Sequence, residues 1–456
     1  MTTRRQLLAL SGALLTTACA TGPSMTAHPP IVFVHGNGDT AALWQTTMWR
    51  FESNGWPRER LHAIDLPYPL ARDDDTRPQP GRTSTAEHMA YLRSEVDKVL
   101  QATGAAQVVL VGNSRGGNAI RNYIQNGGGA AKVSHAILGG VPNHGVWNVP
   151  GRAPGSEFAG NGPFLQGLNA PKNAAGDEVA GPVRWLTIRS DSNDKFAQPT
   201  GQWIGDRNLQ TGVTAEGPAL KGATNVVLPR VDHRETSFSP AAFEATYRFI
   251  TGQAPATLSI VPEERIVLAG KVTGLGWSST DPASGNFQNN LPIPGARLVV
   301  YPVDPATGER RGGAVLDEVI DATGRWSFQA ERNTPYEFVV AAPGYATTHI
   351  YRSPFPRSSN LIHLRADRPA DTDKSAKSSI TLTRPRGYFD AMRDKMSFDG
   401  KALPGVPPAG AGVSSSKINL SQNGVRPISA EFNGEKITGR TWPLSDGHLV
   451  VLELTY

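Results

Sequence analysis

Cysteine is almost absent: the 456 residues contain a single one, Cys19. One thiol excludes an internal disulfide framework and any cysteine-built metal site, so stability has to come from buried apolar cores. The 10 histidines include no His-x-x-x-His pair, and no loop of alternating carboxylates suits calcium. A dinucleotide fingerprint is also missing. Gly36-Asn37-Gly38 has no third glycine at the required spacing, and Asp65 lacks a partner motif. The net charge of +5, two units of it from Arg4 and Arg5, is spread over interspersed acidic and basic residues. No basic stripe interleaved with aromatics occurs, which argues against a nucleic-acid partner. Chemistry without a cofactor is the simpler expectation.

What the chain does have is 48 glycines and 36 prolines, the mark of many turns and long connections. Its length calls for two or three domains. Thr3-Arg4-Arg5-Gln6-Leu7-Leu8 is a twin-arginine pattern, followed by an apolar region, too short to span a bilayer, that ends near Ala20. Residues 1–20 are therefore read as a signal peptide and 21–29 as a linker, with the folded protein exported from the cytoplasm. Two readings of Cys19 stand. As a lipidated residue it would tether the chain to a membrane; Leu15, however, lies four residues before it rather than three, and Ala18-Cys19-Ala20 equally satisfies a plain cleavage site. The sequence leaves the oligomeric state open.

From 30 to 254, short apolar runs alternate with helical patterns, which predicts a doubly wound, mostly parallel sheet of the α/β class. The strand candidates are Ile31 to Val34, Leu61 to Asp65, Gln107 to Val111, Val133 to Leu138, Val183 to Arg189 and Asn225 to Leu228. Ser84 and Glu87 form a capping box for a helix that stops at Gly104, and Ser239-Pro240 opens another that ends at Gly252. Between the fourth and fifth strands, about 147–181 is a Gly-, Asn- and Pro-rich insertion, read as a lid or substrate-facing cap against the alternative of a tolerated surface loop. Beyond Ala254 helical periodicity disappears and an all-β region follows. Residues 255–367 resemble the transthyretin-like or carboxypeptidase-regulatory-like sandwich in their spaced glycines and aromatics, Gly324-Arg-Trp-Ser-Phe328 and Pro343-Gly344-Tyr345 among them. After a charged bridge, the β-rich remainder of 368–456 either completes that sandwich or stands alone.

The chemistry sits where Val108-Val109-Leu110-Val111 ends in Gly112-Asn113-Ser114-Arg115-Gly116. This is Gly-x-Ser-x-Gly between a strand and a helix whose Ile120 and Ile124 share a face. Glycines on both sides let neighbouring backbone approach while the serine hydroxyl is pushed out at the carboxyl edge of the sheet. A serine is a poor nucleophile at neutral pH and needs a base, with a carboxylate to orient that base.

With Phe33-Val34-His35-Gly36-Asn37-Gly38 after the first strand and Val231-Asp232-His233 before the last helix, the elbow resembles the α/β-hydrolase lipases and esterases, especially those with a C-terminal β domain. The resemblance implies a carboxylic-ester hydrolase, a lipase or long-chain esterase, with an ester or lipid substrate. It also implies Ser114 as nucleophile, His233 as base and Asp194 as acid, because Asp194-x-Phe-x-x-Pro199 is similar to the family's acid turn; Asp191 is the rival. The amides of Asn37 and Arg115 would meet the oxyanion. His35 is read as pinning the oxyanion loop. His144 lines the pocket or stabilises its own turn, the second being preferred. The Arg115 side chain, where many lipases carry a neutral residue, would favour a polar or anionic feature of the substrate. Two alternatives remain: a polyester or polysaccharide-ester hydrolase whose β region holds insoluble substrate, and a non-catalytic binding protein on a hydrolase shell.

Overall fold

The computed structural model describes residues 28–204, 206–274 and 289–456. Arg4, Arg5 and Cys19 lie outside the described residues. Six parallel strands form the first sheet: β1 (Ile31–Val34), β2 (Leu61–Ile64), β3 (Val108–Asn113), β4 (Val133–Gly139), β5 (Arg184–Ser190) and, after a hairpin of β6 (Gln202–Trp203) and β7 (Asp206–Gln210), β8 (Thr224–Leu228). Their order is β2-β1-β3-β4-β5-β8. Strands such as β1 and β3 are buried along their whole length because apolar layers cover both faces, which is why they read as unbroken aliphatic runs. On one face, Val96, Val99 and Leu92 of α2 (Thr85–Thr103) and Ile120 and Tyr123 of α3 (Arg115–Asn126) pack on Val32, Leu110 and Leu138. On the other, Trp44, Phe51 of α1 (Gln45–Ser53) and Phe243 pack on Phe33, Val109 and Ile137.

Local signals set the helix ends. Ser84 Oγ accepts the Glu87 amide while Glu87 returns the bond to the Ser84 amide, and Gly104 closes α2 at φ 64°, a conformation that costs an L-residue with a Cβ. The insertion holds one short helix, α4 (Pro163–Asn169). After β8, α5 (Glu235–Phe238) leads into α6 (Pro240–Thr251), which Ser239 caps and Gly252 ends.

The β region follows as β9 (Ile266–Gly274), β10 (Arg297–Pro302), β11 (Leu316–Val319), β12 (Arg325–Ala330), β13 (Tyr336–Ala341), β14 (Thr347–Arg352) and β15 (Ser359–Ala366). Then come β16 (Ser378–Thr383), β17 (Met396–Phe398), β18 (Ser415–Leu420), β19 (Pro427–Phe432), β20 (Glu435–Arg440) and β21 (His448–Glu453). A seven-stranded sheet, β11-β10-β13-β14-β21-β16-β18, faces the three-stranded β12-β9-β15 across a core of Leu268, Leu298, Val340, Phe338 and Ile362. Strand β21 lies parallel to both β14 and β16, so β16, β18 and β21 of the last segment are stitched into the preceding sheet. β17-β19-β20 forms a further small sheet whose Phe398, Ile428 and Phe432 share one apolar cluster with Ile380, Leu382 and Leu452 of the seven-stranded sheet.

Candidate active site

Ser114 stands between β3 and α3 at φ 51° and ψ −125°, a backbone conformation unfavourable for a residue with a Cβ. Its amide donates to Gly139 O at 3.0 Å, its side chain makes no cap bond to the helix, and the residue lines a cavity. The elbow is as tight as glycines permit. A Cβ on Gly116 would stand 2.5 Å from Val34 O and 2.6 Å from His35 O, and one on Gly112 would stand 2.8 Å from Gly117 N. Both obstacles at Gly116 are backbone, so Gly116→Ala forces the strand and the helix apart. The expected cost is about 1–3 kcal/mol from overpacking. With the Arg115 amide displaced, kcat on a soluble ester should fall by about 10²-fold, checked against the melting temperature of the same variant.

Asp194 and His233 are brought together. His233 Nδ1 lies 2.9 Å from both carboxylate oxygens of Asp194, and both residues are buried. This bond places the ring proton on Nδ1 and leaves Nε2 as an acceptor, the tautomer a general base requires. Asp194 Oδ1 also accepts the Phe196 amide, and the Phe196 ring meets the imidazole edge-on with centroids 4.5 Å apart. Asp191 is elsewhere: it is exposed and accepts the Arg230 amide and the Ser192 hydroxyl. The His233 loop is fixed to the elbow through Asn113, whose Nδ2 donates to His233 O at 3.2 Å, to Gly139 O and to Ser237 Oγ. A bond from the His233 ring to the Ser114 hydroxyl is not among those of this resting structure; such bonds commonly tighten only with substrate.

Asn37 lies in the turn after β1, its Oδ1 accepting the Ala71 amide at 2.7 Å, which orients that turn toward the elbow. Arg115 is the first residue of α3, where a helix amide has no intrahelical acceptor. His35 is enclosed, with Nδ1 on Gly36 O and Nε2 accepting the Leu66 amide, and burial lowers its pKa, so a neutral ring ties the turn after β1 to residue 66. His144 bonds Gly217 O and Glu178 Oε1 and so ties its turn to two other segments.

The Arg115 side chain contradicts its sequence reading. Its guanidinium is fully buried, bidentate to Glu157 of the insertion at 2.9 Å on each arm, with further bonds to Pro69 O and Thr83 O. Every arm points into protein, which leaves nothing to offer an anionic substrate. Glu157 itself gave no sequence signal, and its pairing clamps the insertion to the elbow.

Ser114 opens on a cavity of about 340 Å³ whose walls include Asn37, Trp147, Phe158, Phe196 and Trp203. The insertion supplies Trp147 and Phe158, whose rings meet edge-on, and the β6 hairpin supplies Trp203.

Residues 28–148 match the family described as Lipase (class 2), and residues 264–369 match the Lipase C-terminal domain. Among solved structures, the chain is similar to the Bacillus licheniformis lipase BlEst2 in its propeptide form, at 14% identity and a TM-score of 0.37 over 91% of this chain and 93% of that one. It is similar to Aspergillus fumigatus lipase B at 14% identity and a TM-score of 0.36, over 53% of this chain and 56% of that one, so the match spans just over half of the Aspergillus enzyme. The Paleococcus ferrophilus monoacylglycerol lipase matches at 17% identity and a TM-score of 0.32, over 49% of this chain and 95% of that one. Two separate segments of the chain thus match lipase models, the first over the strand–elbow region and the second over the β region, so the chain is similar to lipases that carry a C-terminal domain.

Proposed function

We propose that the protein hydrolyses carboxylic esters with an apolar acyl chain, as a lipase or long-chain esterase, through a covalent acyl-enzyme on Ser114. The observation that carries this reading is the Asp194–His233 pair fixed through Asn113 to a strained serine elbow that opens on an aromatic cavity. In the first step His233 Nε2 takes the Ser114 proton as Oγ attacks the ester carbonyl, and the Asn37 and Arg115 amides receive the oxyanion. The imidazolium returns its proton to the leaving alkoxide. Water, deprotonated by the same ring, then attacks the acyl carbon; as the acyl–Oγ bond breaks, the imidazolium gives that proton to Ser114 Oγ and the carboxylic acid leaves. Asp194 holds the imidazole tautomer and offsets the charge that develops on it. The twin-arginine pattern supports action outside the cytoplasm.

An organophosphonate should label Ser114 stoichiometrically, since only an activated serine reacts; an unlabelled protein would favour the binding-protein alternative. A series of p-nitrophenyl esters, run beside an emulsified triglyceride, should show kcat/KM rising with acyl length as each added methylene enters the aromatic cavity. Gains of up to about 10-fold per methylene are expected until the cavity is filled. A flat or falling profile would rule out the long-chain assignment.

A further inference from the structure

The loop that carries His233 is built around two buried carboxylates, and the charges that answer them come from the far end of the chain. Asp232 Oδ1 accepts the amides of Arg234 and Glu235 at 2.8 Å each, and Glu235 Oε2 accepts the Asp232 amide at 2.7 Å, so the turn 232–235 closes on itself. Arg384, in the connection between β16 and β17, lies across both carboxylates. Its Nη1 is 2.9 Å from Asp232 Oδ2 and its Nη2 is 2.6 Å from Glu235 Oε1. Tyr388 donates its amide to Asp232 Oδ2, and Arg393 Nη1 pairs with Glu235 Oε2. The acid's loop is held from the same side: Asn193 Nδ2 donates to Asp390 Oδ2 at 3.1 Å, and the Tyr388 ring lies under the cationic ends of Lys195, at 4.3 Å, and Arg234, at 5.1 Å. The oxyanion side is reached as well. Arg234 pairs with Asp39 at 3.0 Å, and Arg386 donates to Ala42 O.

Buried carboxylates beside a catalytic imidazole need fixed counter-charges: unpaired, they would draw in water or a proton and the turn would open. We propose that Arg384 is a positioning residue for the ester-hydrolysis reaction, fixing the His233 turn through Asp232 and Glu235, so that the β region is part of the catalytic apparatus rather than an appended substrate holder. The inference rests on the reading of His233 as the base. It also changes what a truncation after Ala254 reports. Removing the β region strands both carboxylates, and lost activity then says nothing about substrate capture.

The test is Arg384→Met in the full chain, assayed on p-nitrophenyl butyrate with folding checked by thermal unfolding. The expected result is a fall of at least tenfold in kcat with KM within twofold of the parent, a matching fall in the rate of phosphonate labelling, and partial recovery in Arg384→Lys. A folded Arg384→Met protein whose kcat stays within twofold of the parent overturns the proposal. So does a loss carried by KM, which would return the β region to substrate holding. If Arg384→Met does not fold, Gly387→Ala decides by the same two criteria, because a Cβ there would stand 2.3 Å from Arg384 Cζ and push the guanidinium off the carboxylates without removing a charge. His233→Ala is the control. Should it keep its kcat, the reading of the base fails and the positioning role goes with it; should it lose kcat while Arg384→Met does not, the positioning role alone fails.

Discussion

Ser114→Ala will lower kcat on a soluble p-nitrophenyl ester by about 10⁵- to 10⁶-fold, His233→Ala will lower it nearly as far, and the double variant will lose little more. The non-additivity follows from the chemistry. A serine without its base does not attack, and a base without its serine has no proton to take, so either deletion removes the same step. At about 1.36 kcal/mol per tenfold, the loss amounts to roughly 7–8 kcal/mol of transition-state stabilisation. Some rate over uncatalysed hydrolysis should survive, supplied by the Asn37 and Arg115 amides and the cavity, which neither substitution touches. Asp194→Asn should fall between, at about 10⁴-fold, because an amide stabilises the wrong tautomer of a ring that still stands in place. The melting temperature of Ser114→Ala should stay close to that of the parent, since alanine and serine face the same backbone penalty at residue 114, whereas His233→Ala should melt lower because it leaves the buried Asp194 without its partner. If the losses instead multiply, the two residues do not share a step, and the acyl-enzyme account is wrong.

The parts of this site that were legible in the sequence are those whose physics is local. The strand ending at Asn113 is a run of aliphatic residues buried on both faces, and the tight packing around Gly112 and Gly116 is a property of the elbow alone. The capping box at Ser84 and the cap and first-turn proline at 239–240 likewise involve residues within one turn of each other. Asp194 and His233 were reachable only through the resemblance, which favours Asp194 over Asp191 for its Asp-x-Phe-x-x-Pro turn; in the structure it is Asp194 that faces the imidazole, while Asp191 accepts the Arg230 amide. What stayed hidden depends on partners distant in the chain. Arg115 beside a nucleophile reads as a charge offered to substrate until Glu157, 42 residues away in an aperiodic insertion, takes both arms. Asp232 carries no signal of its own in the sequence, and its pairing with Arg384 from the β region appears only in the structure. That part of 368–456 joins the preceding sheet depends on β21 lying parallel to β14 and β16, a pairing with no turn or hairpin signal to announce it. The β6 hairpin was missed because two strands this short and polar carry no periodicity.

Arg115→Met should destabilise the fold by about 3–5 kcal/mol, because it leaves Glu157 charged, enclosed and unpaired, and strips Pro69 O and Thr83 O of their donor. Replacing both partners, as Arg115→Met with Glu157→Leu, should recover most of that loss, since apolar packing at a buried pair's site is often no worse than the pair. The cycle of single and double variants would then give the coupling directly. The pH dependence is a second, independent signature. Burial raises the Glu157 pKa, and Arg115 opposes that rise. Without Arg115 the folded-state value moves further above the unfolded one, so between those two values the folded protein holds the extra proton and stability falls as pH increases. The gap in melting temperature between Arg115→Met and the parent should therefore be smallest near pH 4, where the loss of the donor to Pro69 O and Thr83 O remains, and widen as pH rises through the carboxylate range and beyond. A gap that stays flat with pH would mean that Glu157 is not the stranded charge. Activity should report the same clamp from the other side. Glu157 precedes Phe158 in the cavity wall, so releasing it should raise KM for long-chain esters more than for acetate, while the arithmetic of kcat still belongs to the serine and its base.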